Sequence, residues 1–312
     1  MRAPAVSVVL PVYNRAAYLR PAIASVLGQT FADWELLVAD DGSDDPETLA
    51  ILADLDDPRI RVLRLAHRGS PAVARNAAIA EACGEYLAYL DSDDLWMPDK
   101  LARQLSAMRA RPTCGWSYGA VERIDRNGDP AGGRIQRWIP YDSRMVERLL
   151  RIDALVAAPT VMMRRDLAKA LGGFDVDQHY GEDYDLWIRA AMHSDVVVLD
   201  MPLAAVRVHP DNYSRDRLAA HRGWLQLYDK FARISPDSAT RHLARRRRAE
   251  SALVVASFLS AQAEGRAEAW RLLHRFGPRL LLQPRLWPPL ARRVAGLLAR
   301  SLQGRSRFPP KV

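Results

Sequence analysis

Cysteine is nearly absent from this chain: Cys83 and Cys114 are the only two in 312 residues. Two thiols cannot build a disulfide framework, and their spacing matches no metal motif, so a reducing compartment is expected. No window reaches about 18 uncharged apolar residues, which argues against a transmembrane helix. The opening stretch, MRAPAVSVVLPVYNRAAYL, also lacks the apolar core of a secretory signal, because Pro11, Asn14 and Arg15 interrupt it. The expectation is a cytoplasmic protein that touches a membrane only at its surface, at the inner face of the plasma membrane. Phosphate-cradling glycine loops are missing as well. Neither GxGxxG nor GxxxxGKS/T follows any strand-like run, which excludes a dinucleotide fingerprint and a Walker loop.

What is present suits a globular protein, with 49% hydrophobic and 26% charged residues, enough to bury a core. The charge is unevenly placed. Residues 241–312 carry 16 Lys/Arg against 3 Asp/Glu, a tail of +13, whereas residues 1–240 carry 29 against 34 and are mildly acidic. Such asymmetry implies two parts with different partners.

Strand and helix patterns alternate through the first hundred residues. Val6 to Leu10 reads as a buried strand closed by Pro11, and Ala17 to Gln29 as a helix with apolar residues at helical spacing. Strands at Trp34–Ala39, Arg61–Leu65 and Glu85–Leu90 follow, separated by helices at Pro46–Leu55 and Pro71–Ala82. This order predicts an α/β fold with a mostly parallel sheet. Ligands in such sheets bind beyond the carboxyl ends of the strands. Three of these ends carry polar clusters: Tyr13 and Asn14, Asp40 and Asp41, and Asp91, Asp93 and Asp94. Carboxylates repel phosphate, but Mg²⁺ is commonly held by one or two carboxylates plus substrate phosphates, so DSDD reads as a metal clamp for a diphosphate. The plainer alternative is a solvated turn, or Asp93 or Asp94 capping a helix that starts near Pro98.

Four stretches, VSVVLPVYNRAAYL, WELLVADDGSDD, HRGSPAVARNAAIAEACGEYLAYLDSDDLWMPDKL and GGFDVDQHYGEDYDLWIRA, occur in that order. Together they closely resemble family 2 glycosyltransferases of the GT-A fold over roughly residues 5–215. The resemblance implies a nucleotide-diphospho-sugar transferase domain at 1–215, with a mostly parallel central sheet flanked by helices. Its nucleotide-binding half spans 1–110 and its acceptor-binding half 111–215. Residues 216–312 form a basic helical C-terminal extension.

Residue roles follow from the same resemblance. Asp41, with Asp40 beside it, is placed as the reader of base and ribose, and Pro11, Tyr13 and Asn14 as the lining of the nucleoside pocket. Arg75 approaches the nucleotide, its charge suiting diphosphate or the aspartate pair. Asp91, Ser92 and Asp93 match the DxD motif: Asp93 is the direct metal ligand, Asp91 a second ligand nearer the sugar or ribose, and Mn²⁺ or Mg²⁺ suits the oxygen donors. His209, in VRVHPDNYS, matches a histidine near the diphosphate and metal; a surface or packing histidine is the alternative. Asp183 takes the general-base position, with Glu182 next to it as the other candidate. An acceptor hydroxyl needs such a carboxylate to remove its proton, while the metal stabilises the departing diphosphate and direct displacement inverts the sugar. The same acids also suit the first turn of a helix. Asp185 is read as structural or an acceptor contact, and Trp96 and Trp187 as sugar-stacking rings or braces behind the loops.

The acceptor half is less regular. It shows strand-like runs at Trp116–Ile124 and Thr160–Met163, a turn in DRNGDP, a helix at Met145–Arg151 and a tight turn at Gly172, Gly173 and Phe174. Helices are expected at Leu218–Ile234 and Pro236–Gln262, the second containing RRRR at 245–248. Farther on, Leu290, Val294, Leu297, Leu298 and Leu302 share a helical face opposite Arg292, Arg293 and Arg300, with Trp287 just before them. That basic amphipathic pattern suits peripheral contact with an anionic membrane, or plain packing with solvated arginines. Nucleic acid is not expected, because aromatics are not interleaved with the arginines.

The function expected is metal-dependent, inverting transfer of a sugar from a nucleoside-diphosphate sugar donor to a saccharide or lipid-linked acceptor, in cell-surface polysaccharide or glycolipid biosynthesis. Two alternatives stand beside it. One is a noncatalytic sugar-nucleotide or membrane-binding protein with this fold. The other is a haloacid-dehalogenase-type phosphatase, which also places DxD after a buried strand but is commonly followed by a glycine-threonine step; here Asp94, Leu95 and Trp96 follow.

Overall fold

VSVVLPV forms β1 (Val6–Val12) inside an eight-stranded sheet, as a run of β-branched residues without polar alternation should when both faces are covered. The structure is a computed structural model and describes residues 3–131, 144–209, 216–260, 262 and 264–281. Strand β1 lies between β2 (Trp34–Asp40) and β4 (Tyr86–Tyr89), parallel to both, and β3 (Ile60–Arg64) adds outside β2, again parallel. Helices α1 (Ala16–Leu27), α2 (Pro46–Ala53) and α3 (Pro71–Glu81) make the connections. Asp45 caps α2 by accepting from Thr48 N at 2.8 Å, and Pro46 follows at the first helical position, where its missing N–H is harmless.

Pro11 does not close β1, contrary to expectation. Val9 accepts from Leu90 N, so Val9 and Pro11 both face the β4 side, and pairing with β4 ends at Val9. Proline therefore sits where no ladder bond is needed, and the strand continues to Val12 beside β2.

The second half of this sheet is mixed. It contains β5 (Leu95–Trp96), α4 (Lys100–Ala110), β6 (Cys114–Ile124), α5 (Met145–Arg151), β7 (Met162–Arg164), α6 (Arg165–Ala170), α7 (Glu182–His193) and β8 (Asp195–Arg207). The strand order is β3-β2-β1-β4-β7-β6-β8-β5. Strand β7 runs antiparallel to β4 and β6, β6 and β8 are parallel, and β5 is antiparallel to β8. The capping alternative for Asp93 and Asp94 fails, because the residue preceding α4 is Asp99, which pairs with Arg103.

The chain divides into two compact units, Met1–Asn212 and Tyr213–Val312. The described part of the second is α8 (Arg217–Ile234), α9 (Ser238–Leu259) and α10 (Arg266–Leu281). Asp216 and Asp237 cap the first two by accepting from Ala219 N and Thr240 N. Ala249, Ala252, Leu253 and Phe276 form one of its apolar clusters. The arginine run lies within α9, as expected, and three of its members are paired: Arg246 and Arg247 with Glu250, and Arg248 with Asp229. The amphipathic segment with Trp287 and residues 290–302 lies outside the described residues. No described helix is long and apolar enough to cross a membrane.

Candidate active site

Parallel pairing brings the carboxyl ends of β1 to β4 to one edge of the sheet, where the polar clusters meet. Asn14 leaves β1 with φ 47°, a left-handed conformation that asparagine tolerates. Its amide donates to Asp44 Oδ1 at 2.7 Å and accepts from the backbone N–H groups of Asp44 and Asp45, while its own N–H donates to Ser43 Oγ at 3.0 Å. The loop after β1 is thus fastened to the loop after β2.

Asp40 is fully buried and accepts from Ser43 N and from Arg64 Nη1 at 2.7 Å. Its expected part in reading the nucleotide is corrected: its oxygens face the protein. Asp41 accepts from Arg68 N at 2.9 Å and Gly69 N at 2.8 Å, which shapes the loop after β3. His67 from that loop lies 2.9 Å from the Asp41 carbonyl, and the exposed Tyr13 ring stacks on it at 4.1 Å. Tyr13 and His67 form an aromatic ledge beside Asp41. Sequence reading missed His67, whose signal was its place in the polar HRGS run after β3. Pro11 is half-buried at the foot of this edge.

At the end of β4 the chain turns through Asp91, buried Ser92, Asp93 and Asp94 into β5. The β5 to β8 register pairs Leu95 with Ala205, and continuing it sets 91–94 against 206–209. Arg207 N donates to Asp94 Oδ1 at 2.8 Å, and Arg207 Nε donates to the Asp93 carbonyl at 2.8 Å. His209, its side chain fully buried, places Nε2 2.9 Å from Asp93 Oδ2. Arg207 is a site residue that the sequence pattern did not single out. Burial, with Asp93 and Asp91 adding repulsion, pushes the Asp94 carboxyl well above the usual range.

Arg75 joins the two acidic motifs. From α3 it donates Nη2 to Asp91 Oδ1 and Nη1 to Glu182 Oε1, both at 2.7 Å, with its guanidinium 5.1 Å from the Phe174 ring. Of the partners expected for Arg75, the aspartate pair supplies one, and the bridge to Glu182 was not foreseen. Gly181, with φ 77°, turns the chain into α7, which opens on Glu182 and Asp183. Glu182 is engaged by Arg75. Asp183, half-buried, accepts from Tyr184 N at 2.8 Å. Burial, and next the charge of Glu182, pushes its carboxyl up to about 7, so it exchanges a proton near neutrality.

For Asp185, Trp187 and Trp96 the structural alternative, not the acceptor contact, is the one seen. Asp185 is fully buried and accepts from Arg189 Nε at 2.7 Å; Arg189 in turn donates to the carbonyls of Leu171 and Gly173. Trp187 is fully buried and stacks on Trp116 at 6.1 Å. Trp96 is buried and donates Nε1 to the Pro159 carbonyl at 2.8 Å. These side chains brace the loops and offer no ring or carboxylate to a sugar.

Among the described residues, no three His, Cys, Asp or Glu side chains gather as a metal cage. Asp93 and His209 make a two-donor pair, one carboxylate and one imidazole, both ligand types that divalent cations accept.

The fold has known counterparts. S. aureus TarS in complex with UDP-GlcNAc superposes with a TM-score of 0.66 at 18% identity, covering 95% of this chain and 88% of that one. The mannosyltransferase PcManGT from Pyrobaculum calidifontis, in complex with GDP-Man and Mn²⁺, gives 0.60 at 21% identity, with 97% and 88% covered. The fold is that of the GT-A glycosyltransferases. The sequence model of glycosyl transferase family 2 matches residues 7–172, and the chain belongs to that family. The Escherichia coli protein UDP-Glc:alpha-D-GlcNAc-diphosphoundecaprenol beta-1,3-glucosyltransferase WfgD is 32% identical over 195 residues, 62% of this chain and 73% of its own. The phosphatase alternative is set aside by the same findings.

Proposed function

We propose that this chain transfers a sugar from a nucleoside-diphosphate donor to an acceptor hydroxyl, with inversion at the anomeric carbon, in the assembly of cell-surface polysaccharide or a lipid-linked glycan. The observation that carries this reading is the placement of Asp183, its carboxyl pushed up to about 7 by burial, next to Glu182, which Arg75 bridges to Asp91 at the end of β4. Asp183 takes the proton of the acceptor O–H as that oxygen attacks the anomeric carbon. The bond from this carbon to the phosphate oxygen breaks, and its electron pair leaves with the nucleoside diphosphate. Attack from the face opposite the leaving group inverts the centre.

Asp93 and His209, with Asp91, would hold Mn²⁺ or Mg²⁺, which when bound supplies neutralisation of the departing diphosphate. Asp41 and the Tyr13–His67 ledge would receive the base and ribose, with Asn14 and Pro11 shaping the pocket and Ser92 near the sugar. The resemblance to WfgD, whose name describes a diphosphoundecaprenol-linked acceptor, supports a lipid-linked acceptor. Such an acceptor would bring the protein to the inner face of the plasma membrane, with the basic segment after residue 281 as its contact.

Thermal unfolding with UDP-, GDP- and TDP-sugars, each with Mn²⁺, Mg²⁺ or chelator, tests the donor assignment. One donor should raise the midpoint in the presence of metal, by the linkage of binding to folding. Incubating that donor with lipid-linked acceptors should then yield a glycoside of inverted configuration by NMR. Protection without turnover on any acceptor would favour a noncatalytic sugar-nucleotide binder, and a retained configuration would contradict the displacement.

A further inference from the structure

The turn at Leu171–Phe174, which leads from α6 toward Asp183, is gripped from two sides. On one side Asn76 Nδ2 donates to the Phe174 carbonyl and Phe174 N donates to Asn76 Oδ1, both at 2.8 Å. The turn is shaped around this amide: Gly173 has φ 70°, and a Cβ there would stand 2.4 Å from Asn76 Oδ1. On the other side Arg189, from within α7, donates to the carbonyls of Leu171 and Gly173. Phe174 itself is buried, edge-on to Tyr89 at 5.4 Å and to Trp187 at 6.1 Å.

Asn76 stands next to Arg75 on α3, so one helix turn of the nucleotide-binding half holds the acceptor half at two places: Arg75 at Glu182, and Asn76 at the turn before it. We propose that Asn76 is a positioning residue, which through the Gly173–Phe174 turn sets the start of α7, and with it Asp183, against the aspartates that close β4. The inference rests on the proposed role of Asp183. It separates two tasks within the ARN stretch. Arg75 supplies charge, whereas Asn76 is neutral and supplies register alone. Removing it therefore changes geometry without changing the charge of the site, and a displacement of about 1 Å in a reacting group can cost about 10²-fold in rate.

Two variants test this. Asn76→Ser deletes both amide hydrogen bonds, and Gly173→Ala drives a methyl group against an intact Asn76. For each, kcat, donor KM and the pH profile of kcat are measured on protein whose fold is checked by circular dichroism. The expected result is a kcat reduced 10- to 100-fold, donor KM within about threefold of wild type, and an acid limb displaced below neutral pH because a loosened helix start hydrates Asp183. A merely structural role would lower stability and leave that limb in place. Should Asn76→Ser not fold, Gly173→Ala decides the matter. Folded variants with unchanged kcat and an unchanged acid limb overturn the inference. Asp183→Asn, assayed in parallel, keeps the two ideas apart: its full activity sinks the base assignment, whereas an inert Asp183→Asn beside normal Asn76 and Gly173 variants sinks only the positioning role.

Discussion

Two acidic clusters close the strands on either side of β1, residues 40–45 at the end of β2 and residues 91–94 after β4, and they are treated differently. In the first, Asp40 is held by Ser43 N and Arg64, Asp41 by two backbone N–H groups, Asp44 by Asn14, and Asp45 by Thr48 at the start of α2. The Thr48 hydroxyl and N–H hold the Asp45 carboxyl below the usual range. In the second, side chains do more of the holding: Asp91 meets Arg75, Asp93 meets His209, and Asp94 accepts from Arg207 N against the repulsion of its neighbours. Asp183 joins this second group through the Arg75–Glu182 bridge. The supply of N–H donors makes the difference. Backbone N–H groups fix the loop after β2 in shape, whereas in the second group burial and neighbouring charge raise the proton affinity of Asp94 and Asp183.

Substitutions can break or sharpen that contrast. The largest effect is expected for Asp183→Asn, which should lower transfer about 10²- to 10⁴-fold, the usual worth of a positioned base, while calorimetry shows donor binding retained. Asp93→Ala should come next, with metal-dependent donor protection lost and transfer reduced about 10²-fold even at high Mn²⁺, because Asp93 and His209 would no longer share a cation. A third effect runs in the opposite direction. The Asp183 carboxyl is raised in the folded state to about 7, so ionising it costs stability as pH climbs from the unfolded value near 4. Asp183→Asn should therefore be more stable than wild type by roughly 1–3 kcal/mol at pH 8, with the difference gone below about pH 4, as denaturant midpoints would show. The smallest is Asp45→Ala, which should lower the denaturant midpoint slightly through the lost cap and leave transfer unchanged. A large loss of activity there would erase the distinction between the clusters.

Much of the parallel half was legible in the sequence, because Val6–Val12 and Trp34–Asp40 are mostly apolar, interrupted by Ser7 and Glu35, and are followed by polar turn residues. Strand β8 was not. DVVVLDMPLAAVR carries a proline in its middle, and its pairing with β6 slips between Gly119 and Ala120, so neither alternation nor a continuous run survives. Two-residue β5 is too short for any pattern, yet its pairing with β8 is what brings His209 to Asp93. The candidate site was legible as motifs: the family resemblance pointed to Asp91, Asp93 and Asp183, and Arg75 links Asp91 to the residue before Asp183. It was illegible where a role depends on a distant partner: Arg75 bridging to Glu182, Asn76 gripping Phe174, and Arg207 tying down the DSDD turn. Trp96, Trp187 and Asp185 sit close to candidate site residues in sequence but turn into the core, since strands and helices send adjacent side chains to different faces.

The most direct measurement is the titration of Asp183 itself. Carbon-13 NMR of aspartate-labelled protein, wild type compared with Asp183→Asn, isolates its carboxyl signal, and the pH profile of kcat/KM is recorded in parallel. A carboxyl titrating near pH 7, coincident with an acid limb that falls tenfold per pH unit, is the predicted result. Titration near pH 4, or a limb that persists unchanged when the residue is replaced, would contradict the account.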